Sequence, residues 1–293
     1  MGRVATTIDE QIKLLKDRGM VFDHLNYPIE KVKSILLDIG YYRLGFYWRY
    51  FEIDDEHNFK KGTRFSDVID LYYLDVDLRS ILMRYTNRIE INFRTKLIYE
   101  ASNKYRNIPT WFAKHNLVMN SFITKLENVY YTDDFKSKNF PIYKHHQKYI
   151  NDIYAPAWKT LEFFTFGAII HLYESIKDDE LRKNISLHYG IRNVKAFTNY
   201  LKMIQFIRNM SAHGRLLYDV NTSVKIYKTP LIKIPEENRQ TLDGIIRVVS
   251  YFLGVISPNR QDDLETEVKN KFLKYKDNQA IRKIIEEKIK FSF

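Results

Sequence analysis

Cysteine is absent from this chain of 293 residues, and glycine and proline number only 10 and 7. A chain without thiols has no disulfide framework, no thiolate zinc site and no cysteine nucleophile, and it fits a reducing cytoplasm. Scarce glycine and proline leave few tight β-turns and few glycine-rich loops. These absences favour a helical protein.

Long apolar runs are missing as well. The two longest are FFTFGAII at 163–170 and VVSYFLGVIS at 248–257, both far shorter than the roughly 20 residues that a membrane-spanning helix needs. The opening residues MGRVATTIDEQIKLL lack the apolar core of a signal peptide. Sequence fingerprints of P-loop, dinucleotide-binding, zinc-protease and serine-hydrolase sites are also absent. We expect a soluble cytoplasmic protein without a membrane partner.

The chain is instead rich in aromatic residues and in positive charge. It contains 22 Tyr and 19 Phe, and 47 Lys and Arg against 36 Asp and Glu give a net charge of +11. A disordered chain would not carry so much aromatic surface. The positive charge indicates an anionic partner such as nucleic acid or a membrane surface, although a generally lysine-rich proteome would produce the same excess.

The spacing of apolar residues predicts an all-α protein with at most a minor β-hairpin. Predicted helices cover 8–18, 28–39, 66–104, 161–176, 178–190, 191–215, 238–256 and 261–290. The longest should begin with Ser66 as its cap, because apolar residues then recur every three or four positions as far as Leu97. Residues 105–157 should form short helices and long loops, and 220–235 either a small hairpin or an extended loop.

Two aromatic or basic segments allow more than one interpretation. The block GYYRLGFYWRYF at 40–51 could stack RNA bases between its arginines, or could be a packed core with arginine stems over the rings. The C-terminal stretch 269–290 could dock on RNA phosphates, or could be a solvated helix face.

The segment RNMSAHGR at 208–215 lies where a strongly patterned helix should end. On a helical wheel Arg208, Asn209, His213, Lys202 and Arg215 share the polar arc, together with Gln205, Leu201 and Ala212. Arg208 and His213 are five residues apart, hence about 140° apart in azimuth and about 7.5 Å along the axis. In one copy the two side chains would lie near each other but could not both reach the same phosphate. Two copies that meet along this face could place an arginine and a histidine from each copy around one phosphate.

The chemistry of such a pair is coherent. Histidine titrates near neutral pH and can move a proton to or from a ribose hydroxyl. Arginine stays charged and can stabilise the charge that develops on a pentavalent phosphate. Together they suffice for RNA cleavage through the 2′-hydroxyl, so neither a metal nor another cofactor is expected.

The spacing alone is not specific. Arg18 with His24 and Arg182 with His188 have similar spacings, as chance allows for any short motif. A capping histidine and a surface arginine at a helix end would look the same. The polar arc that includes Asn209, inside a helix otherwise patterned for burial, sets the Arg208–His213 pair apart.

At these residues the chain resembles the HEPN-type ribonucleases, whose signature has the form R-N-x-x-x-H. More of it is similar to one branch, the Abi-like (AbiD/AbiF) abortive-infection proteins of bacteria. The matching blocks are IDEQIKLLKDRGM, IGYYRLGFYWRYF, YLDVDLRSILMRYTNRIEINFRTKL, PAWKTLEFFTFGAIIHLYESI and FIRNMSAHGRLL. They cover roughly residues 8–217 in the expected order, and the helices beyond 217 are predicted from composition and pattern alone.

The resemblance implies an HEPN-like helical bundle. Together with the helix pattern we place this bundle at 65–260, after an N-terminal helical and aromatic lobe at 1–64, and composition adds a basic C-terminal helix at 261–293, all in one compact unit. The resemblance also implies a homodimer with a composite, metal-independent endoribonuclease site, a role in phage defence, and RNA as substrate, with a small structured RNA as a further partner. Arg208 and His213 match the catalytic pair, and Asn209 the polar residue beside it. Glu162 matches an acidic position that would either orient Arg208 or cap a helix.

Two other candidates are weaker. His145 and His146 could seed a metal site, but no further ligand stands at a suitable spacing, and loop histidines are the simpler interpretation. The acids of DVD at 75–77 fall in the first turns of a helix, where acids are favoured without any function. The rival functions are a non-catalytic RNA-binding module and a protein-interaction scaffold.

Overall fold

The computed structural model describes residues 4–292, and within that range every regular element is helical. The α-helices are α1 (Ile8–Asp17), α2 (Ile29–Asp38), α3 (Tyr41–Trp48), α4 (Phe65–Lys104), α5 (Asn120–Lys125), α6 (Asp133–Lys138), α7 (Phe140–Lys148), α8 (Ala157–Thr160), α9 (Phe166–Ser175), α10 (Asp179–His188), α11 (Val194–Ala212), α12 (Leu242–Ile256), α13 (Pro258–Leu273) and α14 (Gln279–Ile284). The predicted all-α fold is confirmed.

Helix α4 is the central element of the bundle. Its 40 residues extend about 60 Å at 1.5 Å per residue, and α3, α9, α10, α11, α12, α13 and α14 all pack against it. The predicted length is confirmed, but the predicted Ser66 cap is wrong. The helix begins at Phe65, one residue before Ser66, and the Phe65 amide donates to the Val21 carbonyl at 2.9 Å. Arg64 precedes it and makes no side-chain cap, because a guanidinium has no acceptor atom.

Two predicted helices are interrupted in the structure, and residues 220–235 adopt one of the two predicted alternatives. Thr165 caps α9, so the predicted helix 161–176 is broken after a short 3₁₀ turn at Leu161–Phe163. The predicted helix 261–290 is divided into α13 and α14, and Asn278 caps the N-terminus of α14. Residues 220–235 form an extended loop rather than a hairpin, with one isolated bridge between Thr229 and Ile232.

The buried apolar side chains form one continuous core from Ile12 to Ile289. Its aromatic centre joins α4, α11 and α12 through Phe93, Phe197 and Phe252, whose neighbouring ring centroids lie 5.8 Å apart. The C-terminal helices, which were predicted without any family resemblance, contribute to this core. The division into segments 1–64, 65–260 and 261–293 stays a prediction.

The aromatic block at 40–51 packs mainly into the core, as one of the two interpretations predicts. Leu44, Tyr47 and Trp48 are buried, whereas Tyr42 is 81% exposed. The block contains two arginines, Arg43 and Arg49, of which Arg43 reaches another element. Arg43 donates a hydrogen bond to the Gly214 carbonyl, and so connects α3 to the end of α11.

Candidate active site

The segment RNMSAHGR forms the end of α11 and a tight turn after it. His213 is the C-terminal cap, and Gly214 follows in the left-handed region with φ of +62°. The Gly214 amide donates to the Ser211 carbonyl at 3.3 Å, and the Arg215 amide to the Met210 carbonyl at 2.9 Å. This pair of bonds is a Schellman motif, which needs glycine or a similarly permissive residue at the left-handed position.

The turn is fastened to the bundle just beyond its end. The buried carboxylate of Asp75 accepts hydrogen bonds from the amides of Leu217 and Tyr218 at 2.8 and 2.9 Å. It also accepts from Arg79 at 2.5 Å and from the Tyr47 hydroxyl at 3.1 Å. Burial raises the pKa of the Asp75 carboxyl, while the neighbouring Arg79 acts in the opposite direction. Asp75, in the third turn of α4, is therefore a structural anchor, a role that the sequence did not indicate.

Two arginines complete this attachment by binding backbone carbonyls. Arg43 donates to the Gly214 carbonyl, and Arg79 donates to the Arg215 carbonyl at 3.2 Å. The side chains of His213 and Arg215 are exposed, and neither makes a hydrogen bond or ion pair within residues 4–292. The helix-end segment (residues 208–218) thus has a fixed backbone and an imidazole that is open to a ligand.

Unlike the His213 side chain, the Arg208 side chain is only 29% exposed and has an ionic partner. Its Nε lies 3.4 Å from Oε2 of Glu90 on α4, an ion pair whose geometry falls short of a hydrogen bond. Its Nη1 donates to the Asn209 side chain at 3.3 Å. Glu90 is 6% exposed, so this carboxylate restricts where the guanidinium can lie.

Glu90 belongs to a wider charged network. Its other oxygen accepts from Arg94 at 2.7 Å, and Arg94 donates to the Phe164 carbonyl at 2.9 Å. Glu162 lies 3.9 Å from the far side of the Arg94 guanidinium. The carboxylate that contacts Arg208 is Glu90 rather than Glu162, so an orienting role of Glu162 would act through Arg94 and Glu90. The capping alternative is wrong, because Thr165 caps the next helix.

Sequence reasoning missed Glu90 and Arg94, and it assigned no role to Asp75. One signal was available, because α4 contains two acid-to-arginine pairs with a spacing of four residues, Asp75 with Arg79 and Glu90 with Arg94. Such pairs usually belong to exposed helix faces. Here they stand among positions of the buried apolar stripe, which indicates buried ion pairs.

The polar arc of α11 is narrower than the helical wheel predicted. Lys202, His213 and Arg215 are exposed, but Leu201 of the same arc is fully buried. Lys202 forms an ion pair with Glu174 on α9, with its Nζ 2.6 Å from the carboxylate, and its role in RNA binding stays a prediction. Arg208 and Asn209 lie at the half-buried border of the arc, where α11 meets α4.

The remaining sequence candidates have structural partners. His145 and His146 lie in helix α7 rather than in a loop, where His145 contacts Asp152 at 3.0 Å and His146 contacts the Tyr131 hydroxyl at 2.8 Å. In the basic C-terminal stretch, Lys271 pairs with Asp77 and Lys288 with Asp219, both at 2.9 Å. Within residues 4–292, no three metal-ligating side chains are grouped closely enough to hold an ion.

Comparison with known proteins identifies the family. The family model of the Abi-like proteins matches residues 34–219, which is more than half of the chain and includes the helix-end segment. The chain therefore belongs to the Abi-like protein family. No curated protein and no solved structure matches it significantly. Across the described residues, none of the helices combines the length and the apolar character that crossing a bilayer would require.

Proposed function

We propose that this protein is a metal-independent endoribonuclease of a bacterial abortive-infection system that acts as a homodimer. The observation that carries the proposal is the contrast at the end of α11. Arg208 is oriented by the buried carboxylate of Glu90, while His213 presents an imidazole that has no partner among residues 4–292, on a backbone fixed by the Schellman motif. Membership of the Abi-like family supports a role in phage defence.

In the proposed reaction His213 accepts the proton of a ribose 2′-hydroxyl. The 2′-oxygen then forms a bond to the adjacent phosphorus, the bond from phosphorus to the 5′-oxygen breaks, and the leaving oxygen receives a proton from the second copy's histidine. General acid–base catalysis of this kind contributes about 10²- to 10⁴-fold to a rate. Arg208 stabilises the additional negative charge on the phosphate oxygens.

Two copies are part of the proposal because of the helix geometry. Residues five positions apart point about 140° away from each other. One copy can therefore direct either Arg208 or His213, but not both, at a given phosphate. A second α11 packed along the same face supplies the missing group. Asn209 and Arg215 then flank the bound phosphate, and Glu162 acts on Arg208 through Arg94 and Glu90.

The decisive experiment measures cleavage of total RNA and transfer RNA by the purified full-length protein in EDTA. His213→Ala and Arg208→Ala are compared with wild type and with His24→Ala. His24 is an exposed histidine that follows Arg18 at a similar spacing, so it controls for the loss of any surface imidazole. We expect both site variants to lose at least ~100-fold in rate, with RNA binding retained and the His24 variant unchanged.

A dimeric mass in solution is the second expected result, since the composite site needs two copies. Wild-type protein that is free of nucleic acid, binds RNA tightly and never cleaves it would overturn the catalytic proposal. Arg208 and His213 would then act as a phosphate clamp in a non-catalytic RNA-binding protein.

A further inference from the structure

A second basic surface lies away from α11, between α7 and α8. There the chain forms an open cleft of about 630 Å³, whose walls include Lys144, Lys148, Lys159, Phe140 and Tyr149. Within the described range no carboxylate lines it. The cleft therefore combines three cations with two aromatic rings and has no internal counter-charge.

We call this surface the lysine cleft (Phe140, Lys144, His145, Lys148, Tyr149 and Lys159). Lysines without an ion pair among the described residues also occur elsewhere, for example Lys13, Lys61 and Lys233, but in the cleft three of them converge on one concavity. They differ in this from the lysines that are neutralised by a carboxylate. Lys104, Lys202 and Lys271 each form an ion pair with a carboxylate within 3 Å. No ion pair of Lys144, Lys148 or Lys159 exists within residues 4–292. Three unpaired cations converging on one concavity repel each other, and an anionic ligand would relieve that repulsion.

The aromatic residues give the cleft a second property. Phe140 is 66% exposed, and the Nζ of Lys144 lies 5.5 Å from the centre of its ring. Lys148 stands in the same way 5.3 Å from the Tyr149 ring. An exposed ring beside a cation can take a nucleobase on its face and the adjoining phosphate on the cation.

The helix spacing extends this pairing along one line. Phe140, Lys144 and Lys148 follow one another at intervals of four residues on α7, which places them on one side of the helix and about 6 Å apart along its axis. His145 lies in the wall between them, 5% exposed, and its Nδ1 has no hydrogen-bond partner among the described side chains. A linear ligand with repeated negative charges matches this row better than a single small anion does.

We propose that the lysine cleft binds a single-stranded segment of RNA, with bases on Phe140 and Tyr149 and phosphates on the three lysines. This proposal rests on the proposed function only in the choice of RNA as the polyanion. The cleft is a binding surface that lies apart from Arg208 and His213 in the chain and contributes no reacting group. It would hold the substrate, or a regulatory RNA, while the α11 site acts.

The test measures binding of a fluorescein-labelled, 2′-O-methyl single strand of about 20 nucleotides to the full-length protein by fluorescence anisotropy. Methylation removes the nucleophilic hydroxyl, so the strand stays intact on wild-type protein. The variants are Lys144→Ala/Lys148→Ala/Lys159→Ala and, separately, Phe140→Ala. A matched control is Lys13→Ala/Lys61→Ala/Lys233→Ala, which removes the same charge from exposed lysines elsewhere.

We expect the cleft triple variant to bind at least ~10-fold more weakly than the control triple variant. The slope of log affinity against log salt should also become shallower by about 2, since each lost phosphate contact on a single strand contributes about 0.7. Phe140→Ala should weaken binding roughly 10-fold without changing that slope. Equal affinities and slopes for the two triple variants would overturn the proposal.

Three further outcomes distinguish this proposal from the alternatives. Polyglutamate that displaces the RNA as efficiently as unlabelled RNA, with no effect of Phe140→Ala, would overturn the assignment to nucleic acid and indicate an acidic protein partner. If wild-type protein never cleaves RNA but the cleft triple variant binds RNA more weakly, the cleft proposal stands and the catalytic proposal is refuted. Cleavage by a cleft variant that binds normally does the reverse.

Discussion

The helix-end segment (residues 208–218) and the lysine cleft are both basic, but the protein holds their charges in opposite ways. Around the helix-end segment, Asp75 and Glu90 are buried and meet buried or half-buried arginines. In the lysine cleft the cations have no carboxylate partner among the residues that the structure describes. Buried charges are retained only where they are paired, so the first arrangement fixes geometry while the second leaves charge available to a ligand.

The difference matches the two roles that we propose, catalysis at the helix-end segment and RNA binding at the lysine cleft. Catalysis requires groups that are held within a fraction of an ångström of their productive positions. Binding of a flexible polyanion requires charge density and exposed rings, and it tolerates mobile side chains. Substitutions at four residues test this comparison.

Replacing Asp75 should have the most severe effect. Asp75→Asn keeps the shape but leaves Arg79 without its buried counter-charge, and we expect a loss of about 3–5 kcal/mol in the free energy of unfolding. The control is Asp77→Asn, because Asp77 pairs with Lys271 in a partly exposed position and should cost no more than about 1 kcal/mol. Urea denaturation measures both, and similar losses would refute the anchoring role of Asp75.

Replacing Glu90 should affect the rate more than the affinity. Glu90→Gln removes the charge beside Arg208, and we expect kcat to fall about 10- to 100-fold, or about 1.4–2.7 kcal/mol of transition-state stabilisation, with KM little changed. Glu100→Gln, on the same helix and paired with Lys96 at 3.8 Å, is the matched control. A rise in KM at constant kcat would mean that Glu90 supports binding instead.

Gly214 should be intolerant of a side chain for conformational reasons. Alanine at φ of +62° costs about 1–2 kcal/mol, although the nearest atom to an added Cβ, on Arg43, is 3.5 Å away. Gly45→Ala is a control of opposite sign, since Gly45 lies inside α3 with ordinary contacts to Trp48 and alanine favours the helix by up to about 1 kcal/mol. Thermal unfolding of both variants tests the difference in sign.

The mildest effect concerns alkaline pH. Burial raises the pKa of Tyr47 from 10.0 to about 12, so the unfolded chain loses this proton at lower pH than the folded chain. The stabilisation is complete below pH 10 and is lost as pH rises towards 12, and by pH 10.5 we expect a loss of somewhat under ~1 kcal/mol from this group. Urea titrations at pH 8 to 10.5 should show a shallower decline for Tyr47→Phe than for wild type.

Much of the fold could be predicted because helices are encoded locally. The 40 residues of α4 and the long helix that carries RNMSAHGR follow from apolar spacing over a few turns. The Ser66 cap was predicted wrongly because the start of α4 is set by a backbone bond to Val21, which no local pattern encodes. The prediction of an unbroken helix at 261–290 was wrong for a related reason. The Asn278 side chain contacts Asp67 at 3.0 Å, and a new helix begins after it.

The sequence by itself determined the class of the protein, the order of its helices and the position of Arg208 and His213 at a helix end, because these depend on residues close together in the chain. Only the tertiary structure decided which polar groups meet. Asp75 binds the amide of Leu217 across 142 residues, and Glu90 rather than Glu162 reaches Arg208. Such partners are set by how α4 and α11 pack, since a buried charge is stable only beside the opposite charge that packing brings to it.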